Sequence, residues 1–119
     1  MSSKNQIGRD GEDEACAFLT GKNYQIVERN FRTRSGEIDI IAIDKEFLVF
    51  VEVKRLLHGD VDVLSHEVDS RKQEKIIKTA KIYLEKHREY NSRFIRFDVL
   101  AVDVPGLEPV HHITNAFTE

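Results

Sequence analysis

Four charges interrupt the stretch GEIDIIAIDKEFLVFVEVK at residues 36–54: Glu37, Asp39, Glu52 and Lys54. Their neighbours Ile40, Ile41, Phe50, Val51 and Val53 are strongly apolar, and buried charges without a task are rare. Strand side chains alternate faces, so Glu52 and Lys54 point the same way, about 6.7 Å apart, and Asp39 shares a face with Glu37, Ile41 and Ile43. If Lys45 and Glu46 form the loop of an antiparallel hairpin, Asp44 pairs with Phe47, and the same register sets Asp39 opposite Glu52 and Glu37 opposite Lys54. A four-residue loop gives the same result. A three-residue loop puts the two acids on opposite faces unless a bulge restores the match.

Two carboxylates with cross-strand Cβ atoms about 5 Å apart repel each other unless a cation or a proton intervenes. A divalent metal is the economical answer, because carboxylate oxygens suit Mg²⁺ or Mn²⁺. Such a cluster serves metal-assisted hydrolysis. The ion polarises a phosphoryl oxygen and activates water, while a nearby lysine orients that water or stabilises the developing charge. Lys54 is placed for either lysine role. The plainer account is a Glu37–Lys54 ion pair, with Asp39 or Glu52 bonded to a neighbouring loop backbone. That account is the better one for any single charge and the weaker one for the set.

The elements that must position these residues follow from periodicity. From Ile7 to about Thr20 the spacing is helical, with Ala15, Phe18 and Leu19 on one side and Gly21 as a stop. Glu12 falls on that apolar face, one turn before Ala15 and Cys16, whereas Asp13 and Glu14 point away. Residues 24–31 read as a short strand, TRSG at 33–36 as a turn into the hairpin, and residues 56–69 as a partly ordered connection. A second helix runs from Ser70 to about Tyr90 on the stripe Ile76, Ile77, Ala80, Tyr83 and Leu84. Its opposite side carries Arg71, Lys72, Lys75, Lys78 and Lys81, mostly in the half where cations oppose the helix dipole. Residues 94–104 form a further strand, stopped by Pro105 and Gly106, and the tail with His111, His112 and Phe117 supplies a last edge strand. The expected fold is α/β, a mixed central sheet flanked by helices.

With 119 residues, one domain is expected over 1–119. Hydrophobic residues make up 40% and charged residues 33%, and no apolar run approaches the roughly 20 residues of a membrane helix. The N-terminal residues lack an apolar signal region, so a cytoplasmic, reducing location is expected, with no membrane partner. The lone Cys16 fits that location and excludes an intramolecular disulfide; a packed thiol is the better reading than a nucleophile. A net charge of -3 and a pI near 6.0 argue against coating nucleic acid by bulk electrostatics, though not against a local basic patch.

An acidic helix residue, an Asp on one hairpin strand and E-x-K on the next resemble the PD-(D/E)XK nuclease superfamily, whose restriction enzymes and Holliday-junction resolvases share an αβββαβ core. The blocks GRDGEDEA (8–15), RNFRTRSGEIDII (29–41), LVFVEVKR (48–55), VDSRKQEKIIKTAKIYL (68–84) and RFDVLAV (96–102) resemble the bacterial YraN family across nearly the whole chain. The resemblance implies a restriction-endonuclease-like core. It makes Glu12, Asp39 and Glu52 the metal-binding acids, with Mg²⁺ or Mn²⁺ as cofactor, and Lys54 the catalytic lysine, with Glu37 in support beside it. Gln73, next to Lys72, falls where some members carry a polar residue on the following helix. Ile38 stands where the superfamily has a proline, and LLHGD replaces a longer basic stretch after VEVKR.

In that fold Arg29, Arg32, Arg34, Arg55, Arg71, Lys72 and Lys75 could border one cleft around the acids and contact phosphates. Scattered surface cations are the alternative for each. No base-reading helix, zinc finger or aromatic RNA platform is present, so DNA would be bound without regard to sequence, branched or damaged forms included. His111 and His112 are adjacent and alternate faces, and such pairs seldom share a metal. The resolvase resemblance also suggests a homodimer, supported by Phe47, Val49 and the apolar strand edges. The expected function is a metal-dependent DNA endonuclease. The alternatives are a nucleic-acid-binding or a protein-interaction module that retains the fold without catalysis.

Overall fold

The computed structural model describes residues 4–55, 70–102 and 110–118, with side chains from residue 11 onward except Arg55. Its elements are α1 (Lys4–Gly21), β1 (Gln25–Thr33), β2 (Gly36–Asp44), β3 (Phe47–Arg55), α2 (Ser70–Lys86), a 3₁₀ turn (Arg88–Tyr90), β4 (Phe94–Val102) and β5 (Val110–Phe117). The strands lie in the order β1-β2-β3-β4-β5. β3 and β4 are parallel, joined through α2, and every other neighbouring pair is antiparallel. The expected mixed sheet in αβββαβ order is therefore present, closed by β5 as the edge strand that carries His111 and His112. The connection 56–69 and the stop at Pro105 and Gly106 lie outside the described residues.

Alternation along the central strands builds a core on each face. Ile40, Ala42, Val49, Val51, Leu100 and Val102 pack with Ala15 and Leu19 of α1. Ile41, Leu48, Phe50, Phe97 and Val99 pack with Ile76, Ala80 and Tyr83 of α2. β3 is the middle strand, with Val49 fully buried and Phe47 against the Phe94 ring. Phe47 is half-buried there. The exposed large apolar residues among the described ones are Phe94 and Ile95. No described helix is long and apolar enough to cross a membrane.

Two local features matter for the site. Ile38 packs on the α2 side, whereas Ile40, two residues on, packs on the α1 side. Side chains two apart on a regular strand share a face, so β2 turns over at Asp39. β1 does the same: Arg29 reaches Asp13 of α1 and Phe31 meets the Tyr83 ring of α2 edge to face. Between them Asn30 has φ 54°, a left-handed conformation that asparagine tolerates better than most residues. The second feature is Gly36, with φ +153°, where an added Cβ would lie 3.4 Å from Thr79 Oγ1 and 3.5 Å from Lys75 Cβ. Glycine there lets the β1–β2 turn rest directly on α2.

Candidate active site

The hairpin register is the one expected for a two-residue loop. Asp44 pairs with Phe47, and the ladder runs to Ile40 opposite Val51. The next step of that register sets Asp39 against Glu52. Backbone pairing ends at Ile40, and Asp39 Oδ2 instead accepts the Val53 N–H at 2.8 Å. The overturned backbone at Asp39 thus uses a side chain where a regular strand would use its main chain, and leaves the carboxylate between the layers.

Asp39 carries the electrostatic signature of a crowded acid site. Burial pushes its carboxyl up, the Glu52 charge adds to this, the Val53 N–H opposes it, and Glu12 and Glu37 push further, to about 7 from an ordinary 3.8. Glu52 is buried on the α2 face, with Oε1 2.7 Å from Lys72 Nζ. Glu12 projects from α1 with its side chain 17% exposed, and its Oε1 lies 3.7 Å from Arg29 Nη2. That oxygen is buried and has no hydrogen-bond partner. Arg29 itself is held at 2.8 Å by Asp13, which the sequence pattern aims away from the core. The three acids therefore share one field, but each is engaged separately. Among the described residues, no three His, Cys, Asp or Glu side chains are grouped as a ready metal site.

The donor chemistry still suits a hard divalent cation. An orphaned buried carboxylate oxygen and an acid pair that favours a proton are both signs of missing positive charge. Glu12, Asp39 and Glu52 are the residues that would hold it. Lys54, partly buried, follows Glu52 on the same face of β3. Glu37 Oε2 accepts Arg32 Nε at 2.9 Å across the β1–β2 ladder, and both residues are exposed.

The expected phosphate-contacting residues divide. Arg34, in the β1–β2 turn, and Arg71 and Lys75, on α2, are exposed. The contact of Gly36 with Lys75 brings turn and helix together. A groove of about 560 Å³ along α2 is lined by Arg71, Glu74, Lys75, Ile77, Lys78 and Lys81. Gln73 is partly buried, Arg32 is tied to Glu37, and Lys72 turns toward Glu52. The side chain of Arg55 lies outside the described residues.

A second polar cluster escaped the sequence reading. Asp98, fully buried on β4, accepts Arg96 Nε at 2.9 Å and Arg96 Nη2 at 3.0 Å, the Asn115 N–H at 2.9 Å, and contacts His112 Nε2 at 2.7 Å. Arg96 also reaches Asp44 at 3.1 Å and the Tyr24 hydroxyl at 2.6 Å. Burial alone would raise the Asp98 carboxyl, but the bonds from His112, Arg96 and Asn115 hold it below its ordinary value. The available signal was an Asp inside the apolar run FDVLAV, the same signal that marked the hairpin. Cys16, with its thiol pushed up by burial, packs against the α1-side core.

A mixed sheet with a helix on each face, in αβββαβ order with an acid pair where β2 leaves β3, is compatible with a restriction-endonuclease-like core. The chain belongs to the uncharacterised protein family UPF0102, whose model matches residues 11–102; this is the YraN family that its sequence blocks resemble. It is 45% identical to a UPF0102 protein of Treponema denticola, over 93% of this chain and 94% of the relative. It is 42% identical to one of Alcanivorax borkumensis, over 98% and 95%. A third UPF0102 protein, from Caldanaerobacter subterraneus subsp. tengcongensis, is 41% identical over 97% of each chain.

Proposed function

We propose that this protein is a metal-dependent endonuclease that hydrolyses phosphodiester bonds in DNA at the Asp39–Glu52 pair. One observation carries the reading: Asp39 is driven to about 7 by burial and by Glu52, whereas Asp98, also buried, is held below its ordinary value by three kinds of donor. The fold stabilises one carboxylate completely and leaves the other short of positive charge. Bound Mg²⁺ or Mn²⁺ would polarise the scissile phosphate and activate water. The chain's own residues do the rest. The Val53 N–H fixes the Asp39 carboxylate, Glu12 offers an unpartnered oxygen from α1, and Lys54 stands two residues after Glu52 to orient water or stabilise developing charge.

DNA is the substrate that fits the surroundings. Arg34, Arg71, Lys75, Lys78 and Lys81 lie on the turn and helix that Gly36 joins, giving a local basic surface on a chain of net charge -3. Such a surface contacts phosphates and not base edges, so recognition follows backbone shape, branched DNA included.

A DNA-binding module without catalysis is the second reading. It draws on the separate engagement of the three acids and on Lys72, which already neutralises Glu52. The experiment that separates them incubates the protein with linear, nicked and four-way-junction DNA in Mg²⁺ or Mn²⁺, beside an Asp39→Ala, Glu52→Ala double variant. Metal-dependent cleavage lost in the variant supports the enzyme. Binding without cleavage on every substrate would sink it.

A further inference from the structure

The cation already among the acids comes from α2. Lys72 stands in the helix's first turn with its side chain 42% exposed, yet its Nζ lies 2.7 Å from Oε1 of Glu52, whose side chain is 9% exposed. An ammonium thus sits on an oxygen that a divalent ion would need. An ion bound there would lie about 2.1 Å from the oxygen, too close to tolerate a second positive group on the same atom. The half-exposed, flexible lysine stem gives Lys72 a way out.

We propose that Lys72 is a built-in counter-cation of the acid pair: it holds Glu52 while no metal is bound, and it moves to the DNA phosphates when Mg²⁺ or Mn²⁺ enters. This rests on the metal-site reading given above and adds a competition to it. A phosphate offers Lys72 a new partner, so DNA should ease metal entry, and metal should by the same coupling favour DNA. Lys72 is thus a positioning residue whose release ties metal loading to substrate.

The test is Mn²⁺ binding, measured by calorimetry and electron paramagnetic resonance on wild type, Lys72→Met and the exposed charge-matched control Lys86→Met at the far end of α2, with metal-free thermal unfolding alongside. Lys72→Met should bind Mn²⁺ on the order of tenfold more tightly than wild type, the weight of a charge-assisted hydrogen bond. Lys86→Met should change little. Without metal, Lys72→Met should melt below wild type, because Glu52 loses its partner, and Mn²⁺ should raise its melting temperature more. Equal or weaker Mn²⁺ binding by Lys72→Met, or an equal gain in Lys86→Met, overturns the competition while leaving a metal site standing. Absence of Mn²⁺ binding in all three proteins overturns the metal-site reading and the competition together.

Discussion

Asp39→Asn should stabilise the metal-free protein, and should do so more at pH 8 than at pH 5. The amide keeps an oxygen to accept the Val53 N–H, now at 2.8 Å, and removes the charge that Glu52, Glu12 and Glu37 oppose. The sign follows from linkage. A carboxyl raised from 3.8 to about 7 on folding binds more protons in the native state, so its contribution is full below the unfolded value and is lost as pH rises through 7. Between pH 5 and pH 8 that loss is about 2.7 kcal/mol for an isolated group. Sharing of the titration with Glu52 brings the expectation to about 2 kcal/mol.

For a domain of this size about 2 kcal/mol corresponds to roughly 6–10 °C in melting temperature. Thermal unfolding of wild type and variant in EDTA, at pH 5 and pH 8, reads it directly. The variant should melt higher by this much more at pH 8 than at pH 5, with the gap widening above 3.8 and levelling off near 7. A constant offset at both pH values, or a variant that melts lower at pH 8, would refute the claim that Asp39 is electrostatically strained.

Asp98→Ala should have the opposite character. It leaves the half-buried Arg96 with Asp44 as its acid partner, deprives His112 of its carboxylate, and should cost about 3 kcal/mol by denaturant unfolding at neutral pH. The wild-type contribution of Asp98, whose carboxyl is held low, is present above 3.8 and is lost only as acid reaches its folded value. Gly36→Ala should cost about 1–2 kcal/mol, from strain at φ +153° and contact with Thr79 and Lys75, and should weaken DNA binding by moving the turn off α2. Arg71→Ala and Lys75→Ala should each weaken binding on all DNA sequences and lower the slope of log affinity against log salt by about 1, read by fluorescence anisotropy.

Local pattern carried most of the fold. Helical stripes, apolar runs and the Lys45–Glu46 loop fix α1, α2, the hairpin register and the αβββαβ order, because each depends on residues near in sequence. What pattern could not carry was geometry set by two elements at once. Strict alternation puts Asp39 on the face of Ile41, but the turnover beside Asn30 breaks alternation there. Parity within one hairpin likewise did not reach the neighbouring strand, which supplies Arg32 to Glu37. Lys72 looked like one more surface cation on a charged helix face, and only the approach of α2 to β3 turns it onto Glu52. His112 and Asp98 lie far apart in the chain, and their bond forms because β5 bulges beside β4, with Asn115 at φ 52°.

Asp98, fully buried, and Asp39, half-buried, show why burial alone is a poor guide to function. Asp39 and Asp98 both interrupt apolar strands, and both lose water on folding. Around Asp98 the fold spends an arginine, a histidine and a main-chain N–H on one carboxylate, and the result is a rigid junction between β4, β5 and the β2–β3 turn. Around Asp39 it supplies one main-chain N–H and surrounds the group with three more acids. A structural site has no reason to gather like charges, since their repulsion lowers stability without holding anything in place. In the proposed enzyme the arrangement becomes useful, because the strain at Asp39 would be the driving force that recruits a cation.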